Sequence, residues 1–303
     1  NDIDLFTGRP QMKYKMIDQH RHEYSISRLC DVFEVSRSGY YNWVGRCPSH
    51  REQEDDRIGQ RIEVIFSDHY RCYGVPRMQS ALQDEGIGIS RKRIARLMKQ
   101  RDCCVKKKKA WKPCTTQANA DHPIRSNILN REFQAERPSQ KWMSDITYIR
   151  TQLGFLYLAA VIDLYSRKIV GFALADHMES TLVEQAFKMA WQQEAPTQLD
   201  LHHSDRGAQY TSHDYQILLK HKAMTVSMSR KGNCWDSAPI ESFWGSLKSE
   251  CAYQPFESHQ QARSEIFAYI MGFYNNTRKH SALGYLSPVQ FEQQFSRDSY
   301  CPN

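Results

Sequence analysis

The sequence predicts an α/β protein in which a basic, all-helical N-terminal third precedes a five-stranded mixed sheet with flanking helices. Three observations carry the prediction. Two short helix-turn-helix patterns lie before residue 115, three adjacent strand-like segments occupy residues 142–175, and helix and strand alternate from there to about residue 250. The chain has 303 residues, room for two or more units of about 150 residues each. The boundaries read from composition are 1–50 for a first helix-turn-helix segment, 51–114 for a second with a basic tail, 115–138 for a linker, 139–295 for the sheet-bearing core and 296–303 for a tail.

In the first helical pattern, Ile26, Leu29, Cys30 and Phe33 make an i, i+3, i+4, i+7 stripe. A turn at Glu34–Val35 follows, then Ser36 as N-cap of a helix carrying Arg37, Tyr40, Tyr41 and Trp43. Arg51 to Asp56 reads as the exposed start of a helix continuing through Ile58, Ile62 and Ile65. The second pattern runs from Arg77 to Glu85, breaks at Gly86-Ile87-Gly88 and restarts at Ser90. Its second helix turns Ile94, Leu97 and Met98 inward and Arg91, Lys92, Arg93, Arg96 and Lys99 outward. A short helix, a tight glycine turn and a basic second helix suit a recognition helix in a major groove.

In the core, Trp142–Arg150, Phe155–Leu164 and Lys168–Ala175 read as strands. The short connections Thr151–Gly154 and Tyr165–Arg167 make them an antiparallel meander. A helix over Thr181–Gln193, a strand over Leu199–His203, a helix over His213–Lys222 and a strand over Met224–Met228 then add parallel strands. Together these describe a ribonuclease-H-like layout, with a helix over Ala238–Glu250 covering the sheet.

Charge separates the two halves. The net charge is +7, yet residues 1–115 hold 23 Lys and Arg against 15 Asp and Glu, so the surplus belongs to the helical third. Arg91, Lys92, Arg93, Arg96, Lys99, Arg101, Lys106, Lys107, Lys108, Lys109 and Lys112 are opposed within residues 91–112 only by Asp102. A solvated helix face explains such a run; so does a phosphate-binding track, and the tandem helical units favour the track. An apolar fraction of 40% supports a real core and excludes wholesale disorder. The longest nearly apolar run, Leu153 to Ile162, is about half a membrane span. No signal pattern opens the chain, and Met12 and Met16 make the first eleven residues readable as a fragment's or a fused frame's. Nine cysteines without CxxC spacing suit free thiols in a reducing cytosol. Cys103, Cys104, Cys114 and His122 are too loosely spaced for a zinc site.

Three acidic residues stand out by position. Asp145 is in mid-strand, where Asp is disfavoured and costly to bury unpaired. Asp205 follows the fourth strand, at the end where parallel strands bind ligands. Glu241 is in the first turn of the covering helix, behind Ser237 and Pro239. With the first and fourth strands adjacent, the three converge, and hard oxygen ligands suit Mg²⁺ or Mn²⁺. The plainer readings are a turn cap at Gly207 for Asp205 and a helix-dipole partner for Glu241, with Asp163 and Asp236 as competitors for the site.

Trp142-Met-Ser-Asp145-Ile-Thr-Tyr148, His203-Ser-Asp205-Arg-Gly-Ala-Gln-Tyr210 and Asn233-Cys-Trp-Asp-Ser-Ala-Pro-Ile-Glu241-Ser-Phe-Trp resemble the signature blocks of bacterial insertion-sequence DDE transposases with a retroviral-integrase-like core. Asp205 and Glu241 enclose 35 residues, the spacing of that family's Asp, Asp-35-Glu signature. Lys248 matches its basic residue, and Tyr274-Asn-Asn-Thr-Arg-Lys-His280, Leu283-Gly-Tyr and Ser287-Pro-Val its C-terminal block. The resemblance is to the OrfB type, made by frameshifting from an upstream OrfA, and covers roughly residues 25–295, including Tyr73-Gly74-Val75-Pro76-Arg77. There is no His-His-Cys-Cys zinc module like that of retroviral integrases; the helical units take its place.

The resemblance implies a transposase that cuts element ends, joins them to each other through a branched, then circular, intermediate and then integrates the element into target DNA. Asp145, Asp205 and Glu241 would hold two Mg²⁺ ions, with Mn²⁺ as a substitute, and Lys248 would meet phosphate near the scissile bond. The implied partners are double-stranded DNA (terminal inverted repeats and target), further copies of the chain on that DNA, and an OrfA-derived partner or fusion, in the bacterial cytoplasm at the nucleoid and with no membrane. Trp235, Trp244 and Tyr210 read as core aromatics, and Arg278, Lys279 and His280 as DNA-path residues or a solvated helix end. The competing functions are a structure-selective nuclease and a DNA-binding regulator with an idle core.

Overall fold

The computed structural model describes residues 10–105, 125–222, 224–230 and 233–300. Lys106, Lys107, Lys108 and Lys109, and with them Cys114 and His122, lie outside the described residues. The chain divides into two compact units, residues 1–60 and 61–303.

The first unit contains α1 (Pro10–His20), α2 (Ile26–Val32) and α3 (Arg37–Val44); α4 (His50–Asp68) runs across the division. Ser25 and Ser36 cap α2 and α3, each hydroxyl accepting from the backbone N–H three residues on. The turn between them passes through Glu34 at φ 53. Ile17, Leu29, Cys30 and Tyr40 form its core, with Tyr14, Phe33 and Trp43 against them. At Gly39 a Cβ would collide with the Tyr14 hydroxyl and Ser36 Oγ, so α1 packs on bare backbone there.

The second unit begins with the end of α4 and a helical hairpin, α5 (Val75–Asp84) and α6 (Arg91–Gln100). Pro76 sits in the first turn of α5, where its missing N–H costs nothing. Gly86 ends the hairpin's first arm at φ 76, a left-handed conformation that glycine adopts without strain. Ser90 caps α6 by accepting from Arg93 N–H. Met78, Ala81 and Leu82 of α5 and Ile94, Leu97 and Met98 of α6 are buried, as the period predicts.

The sheet consists of β1 (Lys141–Thr151), β2 (Gly154–Asp163), β3 (Ile169–Ala175), β4 (Leu201–Ser204) and β5 (Thr225–Met228). Its order is β3-β2-β1-β4-β5, antiparallel across β1, β2 and β3 and parallel from β1 to β4 and β5. This is the ribonuclease-H-like layout that the strand pattern predicts. Helix α7 (Ser180–Glu194) lies on one face, burying Leu182, Val183, Ala186, Phe187 and Ala190 against Trp142, Ala159, Val161 and Val170. Gly171 makes that approach possible, since a Cβ there would run into the backbone of Ala186 and Ala190. Short helices α8 (Ala208–Thr211) and α9 (His213–Lys220) precede β5. A 3-10 turn over Cys234–Ser237 then leads into α10 (Ala238–Glu250). The C-terminal part comprises α11 (His259–Phe267), a π-helical segment (Ala268–Tyr274), a 3-10 turn (Ser281–Leu283) and α12 (Pro288–Tyr300). Among the described residues, no helix is long and apolar enough to cross a membrane.

Candidate active site

β1 is the middle strand of the sheet and β4 its parallel neighbour, with Trp142 paired to His202 and Met143 to His203. Asp145 therefore lies two residues beyond the paired end of β4, on the side where Asp205 leaves that strand. Helix α10 packs against β1 and brings Glu241 in its first turn. Burial, the charge of Asp205 and the charge of Glu241 all push the Asp145 carboxyl above its ordinary pKa, while the hydrogen bond from Trp244 pulls it down. Burial likewise raises Asp205, against the N–H of Gly207, which Asp205 Oδ1 accepts at 2.8 Å. The turn-cap role of Asp205 is thus real and coexists with its place beside Asp145. Glu241 is exposed. Lys248 is half-buried; burial lowers its pKa while Glu241 and Asp145 hold it up, so the cation shares the field of the carboxylates.

The donor set fits a divalent cation. The charges of Asp205 and Glu241 disfavour the ionised form of Asp145, and a hard cation relieves that repulsion. Among the described residues, no three His, Cys, Asp or Glu side chains are gathered tightly enough to hold an ion by themselves. An ion there would complete its shell with water or substrate oxygens, as Mg²⁺ usually does.

Residues 135–234 match a family model described as integrase core domain, residues 241–295 match a second of the same description, and residues 53–111 match an HTH-like domain. The chain is 42% identical over 268 residues to the "Insertion element IS600 uncharacterized 31 kDa protein" of Shigella sonnei, spanning 88% of this chain and 98% of that one. It is 39% identical over 287 residues to "Transposase InsF for insertion sequence IS3A" of Escherichia coli (strain K12), spanning 93% and 99%. The chain belongs to the IS3-family transposases.

Solved structures similar to this transposase include a simian T-cell lymphotropic virus intasome with PP2A regulatory subunit B56 gamma. That match has TM-score 0.43 and 15% identity, over 71% of this chain and 70% of that one. The catalytic core domain of HTLV-2 integrase in complex with magnesium matches at TM-score 0.40 and 14% identity, over 52% and 97%.

Within the transposase fold, the two competing carboxylates have other work. Asp163 closes the β2 end by accepting from Ser139 N–H, Tyr165 N–H and the Ser166 hydroxyl, and burial pushes it up to about 7. Asp236 is buried and accepts from Arg230, Arg131 and Asn127, and the two arginines hold it well below the usual carboxylate range. Of the aromatics, Tyr210 and Trp244 are buried as expected, but Trp235 is not a core residue. It is 69% exposed on the 3-10 turn, because Asp236 beside it takes the inward position. Arg278 and Lys279 are neither a solvated helix end nor a DNA path: both are buried, Arg278 on Glu250 and Lys279 on Asp84, while His280 meets the Tyr274 ring edge-on.

Local sequence reading missed the role of Trp244, whose indole N–H donates to Asp145 Oδ2 at 2.8 Å. The signal was available: Trp244 and Lys248 follow Glu241 at i+3 and i+7, one face of α10. It also missed the support behind the strand, where Ser144 Oγ and Tyr215 Oη bond His202 Nε2. On α6, Arg91, Lys92, Arg96 and Lys99 are exposed and Arg93 is half-buried. Arg91 reaches Gln79 and Arg96 reaches Gln100.

Proposed function

We propose that the protein cuts the ends of its insertion sequence and joins them to target DNA at Asp145, Asp205 and Glu241. The observation that carries this reading is the placement of Asp145 on β1, Asp205 just past the parallel neighbour β4 and Glu241 in the first turn of α10, which packs on β1, in a chain of this family. Two Mg²⁺ ions, or Mn²⁺ in their place, are the expected occupants; when bound they activate the attacking oxygen and stabilise the leaving one. Asp145, Asp205 and Glu241 hold them, Trp244 orients Asp145, and Lys248 draws a phosphate towards the site. Water first breaks a P–O3′ bond and leaves a 3′-hydroxyl. The oxygen of that hydroxyl then bonds to the phosphorus of a target phosphodiester as the target's P–O3′ bond breaks, and the proton the attacker loses is balanced by the one the departing 3′ oxygen takes up. No covalent enzyme intermediate is required.

The exposed cations of α6 and Lys106–Lys109 form the proposed track for double-stranded DNA, both the terminal inverted repeats and the target. Each cation seated on a phosphate releases counterions, so end binding falls steeply with salt. Further copies of the chain assemble on the DNA, with an OrfA-derived segment as partner or fusion, at the nucleoid in the cytoplasm. The division into 1–50, 51–114, 115–138, 139–295 and 296–303 is retained as the functional one.

The test uses purified protein, Mg²⁺ and duplexes taken from the gene's own flanks, assayed for joined products. Asp145→Asn should lose at least roughly 100-fold in rate, the scale of one lost electrostatic partner at a charged transition state, with DNA binding kept. Hydrolysis with no joined product would instead make the protein a structure-selective nuclease.

A further inference from the structure

Along the sequence, the basic hairpin and the carboxylates are joined by a long polar stretch, as if tethered. The packing within the second unit is different. The C-terminal block from Tyr269 to Lys279 bonds the base of the hairpin on one side and the helix of Glu241 on the other.

On the hairpin side, Tyr73 is fully buried just ahead of α5. Its hydroxyl donates to Thr277 C=O at 3.2 Å and accepts from Lys279 N–H at 3.0 Å. The Lys279 ammonium is buried and reaches Asp84, the last residue of α5, and the Tyr285 carbonyl. His69 lies against Tyr73 with centroids 4.2 Å apart, and Tyr70 packs on Phe273 at 4.7 Å. On the other side, Arg278 forks onto Glu250, the last residue of α10, with both bonds 2.7 Å. The Tyr269 hydroxyl donates a third bond to the same carboxylate, also 2.7 Å, and Tyr274 packs on Phe243 of α10 at 4.7 Å.

Buried ion pairs add little net stability against an apolar replacement, yet losing one partner is costly, and their best-attested use is to fix register. Here Arg278–Glu250 is such a pair, and one residue on the buried Lys279 ammonium meets the exposed Asp84 carboxylate, so adjacent residues grip two different elements.

We propose that this block is a ruler: Tyr73, Arg278 and Lys279 are positioning residues that fix the span from α6 to the carboxylates, so the chain cuts at a set distance from the sequence its own hairpin holds. The proposal rests on the reading of the site and the hairpin given above. The recognition sequence, rather than the terminal nucleotides, then chooses the scissile phosphate. The stretch between hairpin and β1 does not set the spacing.

The test uses the full chain with flank duplexes in which two base pairs are inserted between the protected sequence and the natural cut. Wild type should cut within the insert, shifted by two base pairs relative to the element's end and unshifted relative to the protected sequence. The Tyr73→Phe/Lys279→Met double variant should keep end binding but spread its cuts over neighbouring phosphates, and Lys279→Arg should restore a single cut. A wild-type cut that follows the terminal nucleotides would overturn the ruler, and so would a single unshifted cut by the double variant. Complementation between a Glu241→Gln chain and a chain with α6 neutralised would also overturn it, because a cut made in trans has no intrachain ruler. If the double variant does not fold, the wild-type insertion series decides alone. Failure of wild type to cut, or full activity of Glu241→Gln, would sink the assignment of the site and not the ruler alone.

Discussion

Trp244 and Trp235 lie nine positions apart and have opposite fates. Trp244 is buried against Phe243 and gives its N–H to Asp145, whereas Trp235 stands in solvent on a turn held by Asp236. Trp244→Phe keeps most of the ring packing but removes the donor. It should cost roughly 10–100-fold in Mg²⁺ affinity or rate, as supporting partners of metal ligands do; a Mg²⁺ titration of end cleavage checks it. Trp235→Ala should change unfolding free energy by no more than about 0.5 kcal/mol, since little is buried there; urea unfolding is the measurement. His280 offers a third test. Burial, with Arg278 next, pushes its pKa down to about 3, so the folded chain keeps it neutral. Below the ordinary value near 6.5 the unfolded chain takes up a proton that the folded chain refuses, so its contribution to stability is lost as pH falls. Asp163, pushed up to about 7, works in the opposite direction, so the whole-protein curve conceals the effect. Asp163 cancels in a comparison with His280→Gln. Wild type should lose about 1.4 kcal/mol relative to that variant for each pH unit between 6.5 and 4.5.

At the scale of elements, the approach of α7 to the sheet depends on one missing side chain. Gly171→Ala puts a methyl group against the backbone of Ala186 and Ala190, which cannot move aside as a flexible side chain would. The variant should be destabilised by about 1–3 kcal/mol, as overpacked cores are, with a lower melting temperature; an unchanged Tm would contradict this account of the packing. The elements themselves were highly legible in the sequence. The serine cap at 36, the restart at Ser90 and the glycine break at Gly86 are local signals, and α10 occupies the residues the pattern predicts. β4 is shorter than its apolar pattern, starting at Leu201, because β1 offers it partners only from Lys141 to Met143.

Across the second unit, the C-terminal block bonds both the base of the basic hairpin and the last residue of the helix that carries Glu241. This is the scale at which sequence reading was weakest. Arg278 and Lys279 look solvated because charged residues usually are. Their partners, Glu250 and Asp84, lie 28 and 195 residues away, and no local period reports a pairing at such distances. The carboxylates themselves could be found, since Asp145 breaks strand propensity and Asp205 and Glu241 sit at element ends. The bond from Trp244 to Asp145 was missed because a core-aromatic reading accounts for the ring and not for the indole N–H, whose acceptor lies 99 residues away on β1. The sequence by itself determined the elements and their order in the sheet, because caps, turns and periods act within a few residues, and it singled out Asp145, Asp205 and Glu241 as candidates. Only the tertiary structure decided which charges are buried, which tryptophan meets Asp145 and what joins the hairpin to the site. Those choices depend on neighbours that only the folded chain brings within bonding distance.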